Sequence, residues 1–352
     1  MNTEQDKYYQ SHSKLQLIGQ QGQAKLSAAK VLVIGAGGLG CPCLLTLATA
    51  GIGNIGIADF DTVSVSNLHR QTLYTMGDVG QLKAKIAHDK IVQYNTYINV
   101  NQIDMMINES NVLDIISQYD MVVDGTDNFA TRYLVNDACV YLGKPLVYGA
   151  IYQTEGHVTV FNYHNSATLR CLFPEPDAET YVPSCAEVGA YNVVTQIIGV
   201  MMANEVVKIV TGNDDVLSNK LLTYDAIAPG TRTISYRAKP ESREVSMARF
   251  EQKEQPADMS IEEFLNLDED TYQLLDVRED WEREEYNIGG LHLPLAAINS
   301  FKLLDLSQTG KIVVYCEQGS RSAAAVQYLR KKGFINAVSL QGGIVAYQKL
   351  VP

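Results

Sequence analysis

Val31-Leu32-Val33-Ile34-Gly35-Ala36-Gly37-Gly38-Leu39-Gly40 runs an apolar strand directly into a glycine-rich turn, and a helix-like stretch from Cys41 to Ala50 follows. An unbroken run of β-branched and aliphatic residues reads as a strand buried on both faces. Glycines in the turn let the backbone come close to an anionic ligand, and the helix start aims partial positive charge at the same point. Beyond that helix, Ile55-Gly56-Ile57-Ala58-Asp59 makes a second strand that ends in an acid. Met121-Val122-Val123-Asp124 and Pro145-Leu146-Val147-Tyr148 read as further buried strands with helical segments between them. Such alternation predicts an α/β fold with a mostly parallel sheet wrapped on both faces. From Gly156 the pattern switches to polar/apolar alternation in His157-Val158-Thr159-Val160-Phe161, which predicts antiparallel strands continuing the sheet. The strand Lys220 to Tyr224 closes this domain.

The first domain is expected to span residues 1–237 and a second, smaller α/β domain residues 259–352. Between them, 238–258 is rich in charge, carries Pro240 and Pro256 and lacks a sustained apolar period, so it reads as a linker. Ser260-Ile261-Glu262-Glu263 then has the form of a capping box opening the first helix of the second domain. With 40 acidic against 28 basic residues the net charge is −12, which argues against a general nucleic-acid or anionic-membrane binder. Met1 to Gln10 lacks the apolar core of a signal peptide. The long apolar stretch Val193 to Val210 is interrupted by Gln196, Asn204, Glu205 and Lys208 and reads as a buried helix rather than a membrane span. Cysteines at 41, 43, 139, 171, 185 and 316 form no dense disulfide framework, so a reducing cytoplasm is expected.

The glycine loop followed by Asp59, placed to accept from a ribose hydroxyl, would suffice for a nicotinamide or flavin oxidoreductase. What comes next does not fit that reading. Asp59-Phe60-Asp61-Thr62-Val63-Ser64-Val65-Ser66-Asn67-Leu68-His69-Arg70-Gln71 packs polar and basic groups just beyond the strand, and Lys83 follows. Arg70 and Lys83 suit a triphosphate, whose charge shifts during transfer. Asp124-Gly125-Thr126-Asp127-Asn128 supplies a carboxylate for magnesium. Singly, each has an ordinary reading: Asn67 and Gln71 as turn and capping residues, Lys83 as a solvated helix face, Asp127 as a helix N-cap. In this order at strand ends they point to one site.

Residues 15 to 235 resemble the adenylating enzymes of the MoeB and ThiF family, which activate ubiquitin-like sulfur carriers. The resemblance implies a Rossmann-like ATP-binding domain that adenylates the C-terminal glycine of a small carrier of the MoaD or ThiS type, with release of pyrophosphate. It implies that Gly37 and Gly38 lie along the phosphates and that Asp59 holds the ribose. Asn67, Arg70, Gln71 and Lys83 would contact the phosphate chain, and Asp127 would work with Mg2+. Arg132 and Asn136 match the continuation of that motif. Cys185, in Ser184-Cys185-Ala186-Glu187-Val188-Gly189, stands where relatives carry a cysteine that bonds transiently to the carrier; its other reading is a small buried residue at a helix start. A homodimer is implied as well. Two departures stand out. Cys171 is the lone cysteine of what would be a first C-x-x-C pair, and Ser235-Tyr236-Arg237-Ala238 supplies no second pair, so no zinc is expected. Ser11 and His12 stand where the family carries Arg-Gln, which predicts weaker adenylation and leaves a catalytically weakened scaffold as an alternative.

Near the C-terminus, Lys311-Ile312-Val313-Val314-Tyr315 leads into Cys316-Glu317-Gln318-Gly319-Ser320-Arg321-Ser322. A cysteine between a strand end and a helix start can be held as a thiolate or persulfide by loop amides, by the helix dipole and by Arg321. Glu317, an acid inside a loop built for an anion, is expected to oppose this. The segment resembles the active loop of rhodanese-type sulfurtransferases, as do Asp276-Val277-Arg278 and Leu340-Gln341-Gly342-Gly343. That resemblance implies a Cys316 persulfide, loaded by a donor such as a cysteine desulfurase, that attacks the adenylated carrier and yields a thiocarboxylate. Arg321 would hold the sulfur anion, and Asp276 and Arg278 would support the loop. Molybdopterin, thiamin and related sulfur pathways all use such carriers.

Overall fold

The computed structural model describes residues 3–174, 189–228, 230–251, 258–298, 306 and 310–351. The chain divides into two compact units, Met1–Ala248 and Arg249–Pro352.

The first unit is built on an eight-stranded sheet: β1 Lys30–Ile34, β2 Asn54–Ala58, β3 Asn99–Ile103, β4 Met121–Asp124, β5 Leu146–Tyr152, β6 Glu155–Phe161, β7 Lys220–Asp225 and β8 Gly230–Ser235. Their order is β3-β2-β1-β4-β5-β6-β7-β8. From β3 to β5 neighbours run parallel, and from β5 to β8 antiparallel, as the change of pattern at Gly156 predicts. Because β1 pairs with β2 on one side and β4 on the other, the loops leaving their C-terminal ends diverge and open a crevice. Two edge strands carry no apolar run. β3 is largely exposed and polar, and β8 is exposed along its whole length.

Helix Gly40–Ala50 starts directly on the glycine loop, and Gly40 can be nothing larger, since a Cβ there would stand 1.9 Å from the Gly35 carbonyl oxygen. The long apolar helix Asn192–Thr211 packs against that helix and against β5 and β6. Its Val194, Ile198, Met202 and Val206, four residues apart, form the buried stripe. It is the one described helix long and apolar enough to cross a membrane, and this packing accounts for its apolarity.

The stretch read as a linker, 238–258, is helical in its first part, and 252–257 lie outside the described residues. Pro240–Glu251 is a helix whose buried residues include Ser242 and Ser246. Ser246 Oγ donates to Asp137 Oδ1 at 2.7 Å, and Asp137 is in turn paired with Arg170 at 2.7 Å. A helix anchored by serines through a polar network leaves no apolar period to read.

The second unit has a five-stranded parallel sheet of β9 Asp258–Met259, β10 Tyr272–Asp276, β11 Leu291–His292, β12 Lys311–Tyr315 and β13 Ala337–Leu340, in the order β11-β10-β12-β13-β9. Ser260 caps the helix Ile261–Leu265 reciprocally with Glu263, as the sequence pattern predicts. Helix Ser320–Lys331 packs on β12 and β13, and β12 is the central strand.

Candidate functional sites

In the first unit the crevice beyond β1, β2 and β4 is lined by Gly37 and Gly38, Asp59, Arg70, Gln71, Lys83 and Asp127, together with Asp61. The C-terminal ends of three parallel strands thus gather residues that are far apart in sequence. Asp59 accepts the Ala36 amide at 2.8 Å on one oxygen and the Asp61 amide at 2.9 Å on the other. Burial pushes its carboxyl up, against the opposing pull of Lys83 and of these two amides.

Lys83 opens helix Lys83–Tyr94 and is buried, which excludes the solvated-face reading. Its Nζ bonds Asp61 Oδ2 at 2.9 Å. Gln71 is also buried, donates to Asn67 Oδ1 at 3.4 Å, and its own Oε1 finds no partner among the described residues. Asn67 supports the turn, its carbonyl accepting the amides of Arg70 and Gln71, and it is not among the described residues that line the crevice. Arg70 is half-buried; its guanidinium meets only the Ser66 carbonyl at 3.4 Å and His69 at 3.5 Å among the hydrogen bonds of the described residues.

Asn128, not Asp127, caps helix Phe129–Tyr141 by accepting the Thr131 amide at 2.9 Å. Asp127 is left exposed on the crevice wall. Arg132 is buried under the same loop, donating to the Thr126 carbonyl at 2.6 Å and to Tyr148 Oη at 2.8 Å. Asn136 faces elsewhere, accepting the Leu169 amide at 2.8 Å. The sequence reading missed Asp61 and Thr195 as crevice residues; Asp61 had a signal, an acid two positions beyond Asp59 in the same polar run.

Ser11 lies exposed on the short helix Gln10–Lys14. Cys185 lies outside the described residues. Cys171 accepts the amides of Thr168 at 3.4 Å and Lys239 at 3.3 Å. Burial pushes its thiol up, but the hydrogen bonds from Thr168, Lys239 and Ser242 together outweigh this and leave it lowered. Among the described residues, no three His, Cys, Asp or Glu gather as a metal would require. Cys41, Cys43 and Cys139 are buried, and desolvation raises each thiol, that of Cys41 to about 12, so these serve packing.

In the second unit Cys316 is buried at the end of β12, and its sulfur accepts the amides of Gly319 at 3.1 Å and Ser322 at 3.3 Å. Ser322 Oγ stands 3.4 Å from the same sulfur. The loop is pinned from below by helix Gly343–Leu350, whose Ile344 amide donates to the Cys316 carbonyl at 2.9 Å. Gly343 permits this contact, with φ +59° and room for no Cβ, which would fall 2.2 Å from that carbonyl oxygen.

Arg321, expected to hold the sulfur anion, lies within electrostatic reach of Cys316 and is at the same time paired with an acid. Both of its terminal nitrogens grip the carboxylate of Glu282, on helix Asp280–Glu285. This pair holds the Glu282 carboxyl down at about 2. Arg278 is buried, clasps both oxygens of Asp276 and donates to the backbone carbonyls of Glu282 and Tyr286, which is the supporting role expected of it. Its Nη1 also lies 3.5 Å from Glu317 Oε2, so the acid in the loop is turned toward a cation.

The sequence profile of the ThiF family matches residues 9–245, and that of the rhodanese-like domain matches residues 260–350. A probable adenylyltransferase/sulfurtransferase MoeZ of Mycobacterium tuberculosis is 42% identical, covering 97% of this chain and 92% of that protein. A sulfur carrier protein adenylyltransferase of Thermus thermophilus is 45% identical over 67% of this chain and 89% of its own length. Among solved structures, Escherichia coli MccB with MccA-N7isoASN superposes with a TM-score of 0.59 at 21% identity, covering 68% of this chain and 74% of that one. At that identity the likeness speaks for the fold.

Proposed function

Since the chain belongs to the ThiF family and ends in a rhodanese-like domain, we propose that its crevice residues carry out the first half of a two-step sulfur transfer and Cys316 the second. The chain is an ATP-dependent adenylyltransferase of a ubiquitin-like sulfur carrier, joined to a rhodanese sulfurtransferase. The carrier's terminal carboxylate attacks the α-phosphorus of ATP; a new P–O bond forms, the α,β-bridging bond breaks, and pyrophosphate leaves. No base is needed, because the nucleophile is already ionised. Two anions must meet, so what the protein supplies is cations and oriented amides. The observation that carries this reading is the gathering of the glycine loop, Arg70, Gln71 and Lys83 on one crevice.

Asp127, exposed on the wall because Asn128 takes the capping role, is the residue that would hold a Mg2+ ion at this crevice. The metal would neutralise phosphate charge there. The terminal sulfur of a Cys316 persulfide then attacks the acyl carbon of the adenylated carrier, and AMP leaves. A second thiol attacks Cys316 Sγ, forming a disulfide and releasing the carrier as a thiocarboxylate; Cys185 is the sequence candidate. A persulfide donor such as a cysteine desulfurase, a homodimeric state and a cytoplasmic setting complete the proposal.

Carrier-dependent ATP–pyrophosphate exchange and the oxygen-to-sulfur mass change of the carrier test both halves. Lys83→Ala should lose both signals, and Cys316→Ala should keep exchange and lose sulfur. Thiocarboxylate formation by Cys316→Ala would refute the role of that cysteine.

A further inference from the structure

Lys83 Nζ sits in a side chain only 6% exposed, whereas its partner Asp61 is 53% exposed at the mouth of the crevice. The two are joined twice, since the Lys83 amide also donates to the Asp61 carbonyl at 2.9 Å. Asp61 is fixed in its turn: its amide donates to Asp59, whose other oxygen accepts from Ala36 in the glycine loop. The backbone that would meet phosphate and the ammonium that would meet phosphate are therefore held in one hydrogen-bonded frame. Near the ammonium stand the Asp59 carboxylate and Cys41, while Tyr74 Oη reaches the Lys83 carbonyl at 3.3 Å and Arg70 is also on the crevice. Burial raises the Cys41 thiol and the Tyr74 phenol, so both stay neutral at ordinary pH. Tyr74 Oη donates to the Ala36 carbonyl at 2.8 Å, and Asp78, near it, is committed to Lys90. Asp61 is the carboxylate in direct contact with the ammonium.

We propose that Asp61 is a positioning residue for adenylation: it holds Lys83 aimed while the crevice is empty, and yields it to the phosphate chain when ATP enters. The inference rests on the crevice being the ATP site. A carboxylate that must be displaced opposes the phosphate, yet without it the ammonium loses the contact that aims it. Removing Asp61 should therefore act in opposite directions on ATP binding and on the adenylation step.

The test is ATP affinity of the full chain, by titration with a fluorescent ATP analogue, beside the rate of carrier-dependent ATP–pyrophosphate exchange at saturating ATP. Asp61→Asn should bind ATP several-fold tighter yet exchange about tenfold more slowly, because the ammonium is no longer aimed, and Asp61→Glu should restore both. In a Lys83→Met background Asp61→Asn should no longer tighten ATP binding, because the two act as a unit. Weaker or unchanged ATP binding in Asp61→Asn, an unchanged exchange rate, or a tightening that survives Lys83→Met overturns the proposal while leaving the ATP site standing. A wild-type chain that does not bind the analogue overturns both.

Discussion

Glu282 closes both carboxylate oxygens on Arg321, 39 positions away in sequence, and that pairing decides how much charge the Cys316 loop receives. The sulfur is cradled by the Gly319 and Ser322 amides, while the guanidinium expected to hold it is already occupied. Glu282→Gln should free Arg321 and speed alkylation of Cys316 by iodoacetate at neutral pH; an unchanged rate would mean that the guanidinium does not reach the sulfur. The same pair has a pH signature. The carboxyl is lowered from 4.5 to about 2, so its stabilisation is complete above 4.5 and fades as pH falls toward 2. Melting of the full chain should show wild type more stable than Glu282→Gln at pH 6, with the gap closing through that window. This pairing, like Lys83 with Asp61 across 22 positions, was not legible in the sequence. Local order revealed which cations are present, but which acids claim them depends on how distant loops fold together.

Elements read well where hydrophobic patterning reports burial, and badly where polar contacts do the anchoring. β1, β2, β4 and β5 are unbroken apolar runs, and the glycine loop betrays itself because helix Gly40–Ala50 must start where no Cβ fits. β3 and β8 escaped because edge strands facing solvent need no apolar alternation. Helix Pro240–Glu251 escaped because two of its buried positions are serines, Ser242 and Ser246, and Ser246 bonds Asp137, itself paired with Arg170, so that Phe250 alone does not make an apolar stripe. Arg170 lies over the Tyr133 ring, its centre 4.9 Å from the centroid, which fixes it in place. Asp137→Ala would break a buried ion pair with Arg170, a change that typically costs about 3–5 kcal/mol. Ser246→Ala should cost about 1 kcal/mol, the scale of one hydrogen bond. Chemical denaturation of the first unit would separate these, and equal small losses would show that the network does not hold the helix.

At the scale of the molecule, each compact unit has its own sheet and its own apolar core, one built around β1, β2 and β4 and the other on the two faces of β12. Neither sheet borrows a strand from the other unit. Each half-reaction should therefore survive separation, whereas their coupling should not. Residues 1–251 produced alone should exchange pyrophosphate with ATP in the presence of carrier, because every crevice residue and the Ser246 anchor are retained. Residues 252–352 alone should accept sulfur on Cys316, whose loop is pinned by Gly343 and Ile344 within the same unit. A covalent connection gives each half an effective concentration at the other that does not fall on dilution, typically about mM and so about a thousandfold above a micromolar mixture. Mixing the halves at micromolar concentration should then give thiocarboxylate slowly, with a rate that climbs with the concentration of the second half, while the intact chain shows no such dependence. A mixture as fast as the intact chain at micromolar concentration would mean that the halves associate through a surface of their own, and that the linkage is not what brings the sulfur to the activated tail.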